Sequence, residues 1–132
     1  MSIENIMPPS VQREIDASFI FGFKRKQLEV FNVNTSKGWH ESQDRGPSSV
    51  DKKLSKQMLI VSEVAEMTEA CRKPMKPSEK IPEFTCEEEE LADVVIRSMD
   101  YAEKEDLRLA EAVVAKLKYN STRSHKHGGK LV

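Results

Sequence analysis

Two pairs of acidic residues have a spacing that could bind a cation. Glu63 and Glu66 lie in SEVAEMTEA, and Glu90 and Asp93 lie in CEEEELADVVIRSMD, both segments of helical pattern. Residues three apart on a helix share one face, with about 5–6 Å between Cβ atoms. Four carboxylates brought together would raise one another's pKa unless a cation lay among them. Because all the ligands would be oxygen atoms, the sequence predicts a site for Mg²⁺, with Mn²⁺ as a substitute.

A solvated acidic face is the alternative interpretation of these pairs. Acidic residues in a first helical turn, such as those at positions 87–90, also suit the helix dipole. Apolar residues 59–61 precede the first pair and residues 94–96 follow the second, so we expect both segments to be buried on most sides. Buried acids need a partner, which favours the cation. Glu89 could be a metal ligand or an ordinary surface residue. Ordinary surface or capping roles are expected for Glu69, Glu87 and Glu88.

Transition-metal sites fit the residue types less well. A ferritin-like di-iron site needs Glu-x-x-His on two helices, and no histidine follows either acidic pair at that spacing. Cys71 and Cys86 form no Cys-x-x-Cys pair, so we do not expect a zinc site. We expect both cysteines to be reduced thiols.

Length and charge limit the class of protein. A chain of 132 residues is expected to form one domain, here residues 1–132 with flexible ends at 1–9 and 121–132. Charged residues make up 33% of the chain, but the net charge is −1, so nucleic acid is not an expected partner. No apolar run has membrane-spanning length, and the first residues lack signal-peptide order. We therefore expect a cytoplasmic protein that does not enter the membrane.

Four segments have helical pattern and indicate an all-α class. The first predicted helix begins at Pro9 or Ser10 and ends at Asn32 or Lys37. The second, capped by Ser49 or Asp51, ends at about Arg72. The third runs from its cap Thr85 to Ala102, and the fourth from its cap Asp106 to Asn120. The third begins with a capping box, Thr85 with Glu88. We expect the second and third helices to be antiparallel and joined by the proline-rich loop KPMKPSEKIPEF. An extended basic tail should follow the fourth helix.

The C-terminal part of the chain is basic, and a single tryptophan lies in the polar loop SKGWHES. No acid occurs after Glu111. Cations at a helix C-terminus suit the dipole, but beside a metal–carboxylate cluster they could also bind phosphate. The donors in question are Asn120, Arg123, Lys126, His127 and Lys130. Trp39 could be a core anchor, or it could stack on a nucleotide base.

In the order of its motifs, the chain resembles the all-α nucleoside triphosphate pyrophosphohydrolases, the MazG-like superfamily. The similar segments are KGWHES, SEVAEMTEACR, EELADVVIRSMDYA and KLKYNSTRSHKHGGK, which together extend from Gly38 to Lys130. The segment FIFGFKRKQLEVFNVNTS, in contrast, matches no family motif. The resemblance implies a four-helix MazG-like bundle that is completed by dimerisation, as a homodimer or a dimer of dimers.

The resemblance also implies the activity. A MazG-like protein hydrolyses a nucleoside triphosphate between the α and β phosphates, releasing a nucleoside monophosphate and pyrophosphate. By the motif match, the catalytic and metal-binding residues would be Glu63, Glu66, Glu90 and Asp93. Trp39 would contact the base. Phosphate or sugar contacts would come from Lys116, Asn120, Arg123, Lys126 and Lys130.

Two alternatives to this activity remain. The chain could be a non-catalytic helical interaction protein with an acidic Mg²⁺-binding face, or a related pyrophosphohydrolase for dUTP or phosphoribosyl-ATP. A separate argument supports dimerisation: Phe19, Phe23 and Phe31 form an apolar stripe that a second copy could cover.

Overall fold

Four α-helices joined by loops make up the part of the chain that the structure describes. The computed structural model describes residues 7–123, and within them there are four α-helices and no strand. The helices are α1 (Pro9–Ser36), α2 (Val50–Ala70), α3 (Cys86–Lys104) and α4 (Leu109–Ser121). The predicted all-α class is thus confirmed. Across residues 7–123, each helix is too short or too polar to cross a membrane.

The helices belong to two compact units. One is Gln27–Leu107, which holds the end of α1 with α2 and α3 and is called the α2–α3 unit below. The other, called the α4 unit, combines residues 7–26 with residues 108–123 within the described part of the chain. Our expectation of a single domain stays a prediction. Pro9 and Ser121, which we assigned to flexible ends, are the first residue of α1 and the last of α4.

The α4 unit connects the first part of α1 to α4 by a polar contact. Lys24 Nζ lies 3.4 Å from Glu111 Oε2, and Ala110 beside this glutamate is buried. On α1, the rings of Phe19 and Phe23 have centroids 5.3 Å apart. Phe19 is still 37% exposed, so this part of the expected apolar stripe does lack full cover.

In the α2–α3 unit, α2 and α3 pack against each other in opposite directions. Gln57, early in α2, donates to the Tyr101 hydroxyl late in α3 at 3.0 Å. Glu63, further along α2, accepts a hydrogen bond from Arg97, which lies earlier in α3. The contacting residues occur in opposite order along the two helices, so α2 and α3 are antiparallel, as the sequence predicted. This arrangement places the two acidic pairs on facing helices.

Side-chain caps fix the starts of both helices where the sequence placed them. The Ser49 hydroxyl accepts a hydrogen bond from the backbone N–H of Lys52, at the start of α2. At the start of α3, Thr85 and Glu88 form the predicted capping box, with hydrogen bonds of 3.1 and 2.8 Å. Each cap satisfies backbone N–H groups that have no partner within the helix.

The predicted cap of the fourth helix is wrong. Asp106 has a φ of +57° and ends α3 instead of starting α4. Its N–H donates to Glu103 O, and the N–H of Leu107 donates to Ala102 O. This pair of bonds is a Schellman motif, in which aspartate tolerates the left-handed conformation better than most residues. Helix α4 begins after Arg108, which makes no side-chain capping bond.

Phe31 is buried within the chain and does not need a second copy for cover, contrary to our expectation. Its ring is fully buried and stacks on His40, with centroids 4.9 Å apart. His40 Nε2 lies 2.8 and 2.9 Å from the two carboxylate oxygens of Asp100 on α3. The Arg45 guanidinium lies 4.8 Å from the centroid of Phe31 and pairs with Glu103. These contacts attach the loop between α1 and α2 to α3.

The expectation that the segments around the acids are buried on most sides is wrong for the single chain. Val61 on α2 is 53% exposed, and Val95 and Ile96 on α3 are 44% and 38% exposed. Ile96 lines the same cavity as the acids, whereas Val61 and Val95 are not among the residues that line it. The two helices alone therefore leave part of their apolar surface uncovered.

Candidate metal and nucleotide site

Three of the four predicted acids meet between α2 and α3. Glu63, Glu90 and Asp93 each offer one carboxylate oxygen, and these three atoms lie within 4.8 Å of one another. Glu66, one turn further along α2, is exposed and interacts with Glu63 and Glu90. All four side chains line one cavity of about 410 Å³. The spacing in the sequence therefore predicted a real convergence of carboxylates.

Three of the four carboxylates, those of Glu66, Glu90 and Asp93, have a pKa above that of an isolated carboxyl group. Burial, together with the charges of Glu66 and Asp93, raises the pKa of Glu90 to about 7. Burial and the charge of Glu63 raise the pKa of Asp93. The pKa of Glu66 is raised by its hydrogen bond to Glu63 and by the charge of that residue. The group therefore has more negative charge than its surroundings compensate.

Glu63 differs from the other three because it has a cationic partner. Burial acts to raise the pKa of Glu63, but the hydrogen bond from Arg97 and further hydrogen bonds from Glu66 and Glu90 outweigh it, so the pKa is lowered. Arg97 donates from Nε to Glu63 Oε1, and the side chain of Glu63 is only 7% exposed. The guanidinium of Arg97 thus stabilises the charged form of one of the four acids, Glu63.

Glu89 has partners outside the three-carboxylate group. Ser78, which is buried in the loop between α2 and α3, donates its hydroxyl to Glu89. Lys80 Nζ lies 3.2 Å from the other carboxylate oxygen. The hydrogen bond from Ser78, with the contribution of Lys80, lowers the pKa of Glu89. Glu89 therefore anchors the interhelix loop, which resolves the role that the sequence left open.

The loop that carries Lys80 is held by its own hydrogen bonds. The hydroxyl of Ser78 accepts from the backbone N–H groups of Lys80 and Ile81 at 3.1 and 3.0 Å. The N–H of Ser78 donates to Phe84 O at 2.8 Å, which closes the turn. This geometry brings Lys80 to the wall of the cavity that the acids line.

Trp39 also lines this cavity and is not a core anchor. The residue is 48% exposed, so the core interpretation is wrong. Arg97 and Lys56 approach the ring, with cationic atoms 5.1 and 5.8 Å from its centroid. Lys56 Nζ also lies 3.3 Å from the carbonyl oxygen of Trp39. A partly exposed aromatic ring thus borders the same cavity as the carboxylates.

Sequence reasoning missed four of the residues that line this cavity: Asn34, Lys80, Ile96 and Arg97. Arg97 follows Asp93 by four residues on α3, so its helical spacing could have identified it. The position of Lys80 depends on the folded loop around Ser78, and no spacing rule gives it.

The predicted phosphate-binding residues fall in the α4 unit or beyond the described part. Lys116, Asn120 and Arg123 lie on or just after α4. The cationic atoms of Lys116 and Arg123 lie 4.7 and 5.8 Å from the ring centroid of Tyr119. Lys126, His127 and Lys130 lie outside the described residues. Contact between these side chains and a phosphate group stays a prediction.

The residues of the three-carboxylate group fit a hard divalent cation. Glu63, Glu90 and Asp93 supply only oxygen donors, which is the ligand type that Mg²⁺ and Mn²⁺ prefer. Burial and the charges of neighbouring acids raise the pKa of Glu90 and Asp93, and a divalent cation among these carboxylates would favour their charged forms. Comparisons of the chain with protein families, curated proteins and solved structures found no match.

Proposed function

We propose that the protein is a cytoplasmic, Mg²⁺-dependent nucleoside triphosphate pyrophosphohydrolase of the MazG-like type. It would convert a (d)NTP into a (d)NMP and pyrophosphate by attack of water at the α-phosphorus. The observation that carries the proposal is the convergence of Glu63, Glu90 and Asp93, with oxygen atoms within 4.8 Å of one another, in the wall of a cavity of about 410 Å³. A cavity of this size can hold a nucleotide.

The carboxylates divide into ligands and a proton acceptor. Glu63, Glu90 and Asp93 would hold Mg²⁺, and Glu66, which the sequence also assigned to the metal, interacts with Glu63 and Glu90. Bound Mg²⁺ supplies a lowered pKa for water and charge neutralisation on phosphate oxygens. Glu66 is the acid outside the three-carboxylate group, it is exposed in the cavity, and its pKa is raised. It can therefore accept the proton of the attacking water.

The aromatic and cationic side chains that line the cavity would bind the rest of the nucleotide. The half-exposed ring of Trp39 offers a flat apolar surface on which a base can stack. Lys80 and Arg97 supply positive charge in the same cavity. Further phosphate or sugar contacts are assigned to Lys116, Asn120, Arg123, Lys126 and Lys130, as the resemblance implies.

The proposal is tested by pyrophosphate release from a panel of nucleotides. The panel contains the ribo- and deoxynucleoside triphosphates, modified triphosphates, dUTP and phosphoribosyl-ATP, each with Mg²⁺ and with a chelator. We expect Mg²⁺-dependent release of pyrophosphate, and no release of orthophosphate, from at least one member. Binding of Mg²⁺ without turnover of any member would contradict an enzyme and support the non-catalytic interaction protein.

The proposed active form is a homodimer or a dimer of dimers. On α2, Leu54, Met58 and Val61 follow a helical spacing and are 49%, 57% and 53% exposed. Such a stripe is typical of a surface that another protein copy covers. Light scattering at micromolar concentration should give the mass of two or four chains. The mass of one chain would remove this part of the proposal.

A further inference from the structure

Arg97 connects the acidic wall of the cavity to its aromatic wall. Its Nε donates to Glu63, and its guanidinium carbon lies 5.1 Å from the ring centroid of Trp39. The side chain is 27% exposed and lines the cavity together with Glu90 and Asp93. A guanidinium has five N–H donors, and the bond to Glu63 uses one of them.

The bond between Arg97 and Glu63 conflicts with binding of a cation at the three-carboxylate group. Glu63 is one of the three residues whose oxygen atoms converge. A carboxylate that accepts a charge-assisted hydrogen bond has less capacity to bind a cation, and the guanidinium repels a second positive charge at close range. Occupation of the group by a divalent cation therefore favours release of Arg97 from Glu63.

We propose that Arg97 is a displaceable counter-cation: it pairs with Glu63 in the metal-free protein, and after a divalent cation takes Glu63 it binds an anionic oxygen of the phosphorylated ligand. The inference rests on the proposed function, because it assumes that the carboxylates bind the cation. The planar guanidinium is suited to phosphate, to which it can donate two parallel hydrogen bonds. Its contact with Trp39 places it between the acids and the ring on which the base would stack.

Lys80, the other cation that lines the cavity, has a different role. Lys80 Nζ pairs with Glu89, outside the three-carboxylate group, and its loop is fixed by the hydrogen bonds of Ser78. Cation binding at the group does not compete for Glu89. Arg97 is therefore the residue whose partner changes.

The substitution Arg97→Met tests this proposal because it should change two binding affinities in opposite directions. Calorimetric titration with Mg²⁺ alone should show binding about tenfold tighter than in the unsubstituted protein, because Glu63 loses its competitor and a positive charge is removed. Titration with inorganic triphosphate in saturating Mg²⁺ should show binding about tenfold weaker, because a charge-assisted contact is lost. A merely structural role of Arg97 would weaken both affinities.

The matched control is Arg72→Met. Arg72 also pairs with a glutamate, Glu69, at 3.3 Å, but both side chains are more than 70% exposed and neither lines the cavity. This control should leave both affinities unchanged. If Arg97→Met binds Mg²⁺ no more tightly than the unsubstituted protein, the role of Arg97 is overturned while the proposed function stands. If the unsubstituted protein does not bind Mg²⁺, both are overturned.

A second measurement uses the unsubstituted protein and does not depend on folding of the variant. The Nε–H signal of Arg97 is followed by NMR in protein labelled with ¹⁵N-arginine. Saturation with Mg²⁺ should shift this signal and speed its exchange with water, and inorganic triphosphate should slow that exchange again. A signal that stays unchanged while the carboxylates saturate with Mg²⁺ overturns the proposal.

Discussion

The substitution Asp93→Asn should lower Mg²⁺-dependent pyrophosphate release by at least about 10³-fold, because loss of a ligand charge removes several kcal/mol of transition-state stabilisation. Asparagine keeps the size of the side chain but removes the charge from one of the three convergent carboxylates. The fold should not suffer. Burial and the charge of Glu63 already raise the pKa of Asp93, so a neutral side chain relieves repulsion in the metal-free protein.

Steady-state kinetics and circular dichroism separate these two effects. The matched control is Glu87→Gln, an exposed acid in the first turn of the same helix. This variant should keep full activity and full helicity. Asp93→Asn with more than a tenth of the normal activity would remove Asp93 from the catalytic group.

The stability of the metal-free protein should fall as pH rises between about 4.5 and 7, and Mg²⁺ should prevent the fall. The pKa of Glu90 is about 7 in the folded chain against an ordinary value of 4.5, so the folded state holds this proton more tightly than the unfolded chain does. Stability from the protonated carboxyl is complete below the ordinary value and is lost as pH rises through the folded value. The difference corresponds to about 3 kcal/mol.

The other acids of the cavity affect the stability of the fold in pH ranges that can be distinguished. Glu66 and Asp93 have a raised pKa, so their contributions have the same sign as that of Glu90. Glu63 has a lowered pKa, so its stabilisation is present above its ordinary value of 4.5 and is lost only as pH falls below it. Between about pH 5 and 7 the raised values therefore determine the slope.

Urea unfolding at a series of pH values measures this effect, with a chelator in one series and Mg²⁺ in the other. Glu90→Gln has no titrating group at this position and should lose most of the pH dependence in the chelator series. Equal stability at about pH 5 and 7 in metal-free unsubstituted protein would show that the four carboxylates are not electrostatically crowded.

Local signals in the sequence were sufficient to place the starts of α2 and α3. The caps at Ser49 and Thr85 depend on hydrogen bonds to residues three positions away, and such contacts are encoded in adjacent residues. The convergence of the acids followed from helical spacing and from the antiparallel connection through the proline-rich loop. Asp106 was misassigned because a capping aspartate and an aspartate in left-handed conformation have the same sequence signature.

Contacts between residues far apart in the chain could not be predicted. His40 and Asp100 are separated by 60 positions, and this pair, which helps to bury Phe31, has no local signature. The approach of Lys80 to the cavity depends on the hydrogen bonds of Ser78 within a folded loop. The exposure of Val61 and Val95 was missed because an apolar pattern does not reveal whether the covering surface belongs to the same chain.

The most direct test of the central claim is a crystal structure of the protein with Mg²⁺ and a nucleoside triphosphate analogue that cannot be cleaved between the α and β phosphates. We expect Mg²⁺ on the carboxylate oxygens of Glu63, Glu90 and Asp93, with phosphate oxygens completing its coordination. A structure in which the analogue is bound elsewhere, while these carboxylates contact only water, would contradict the claim.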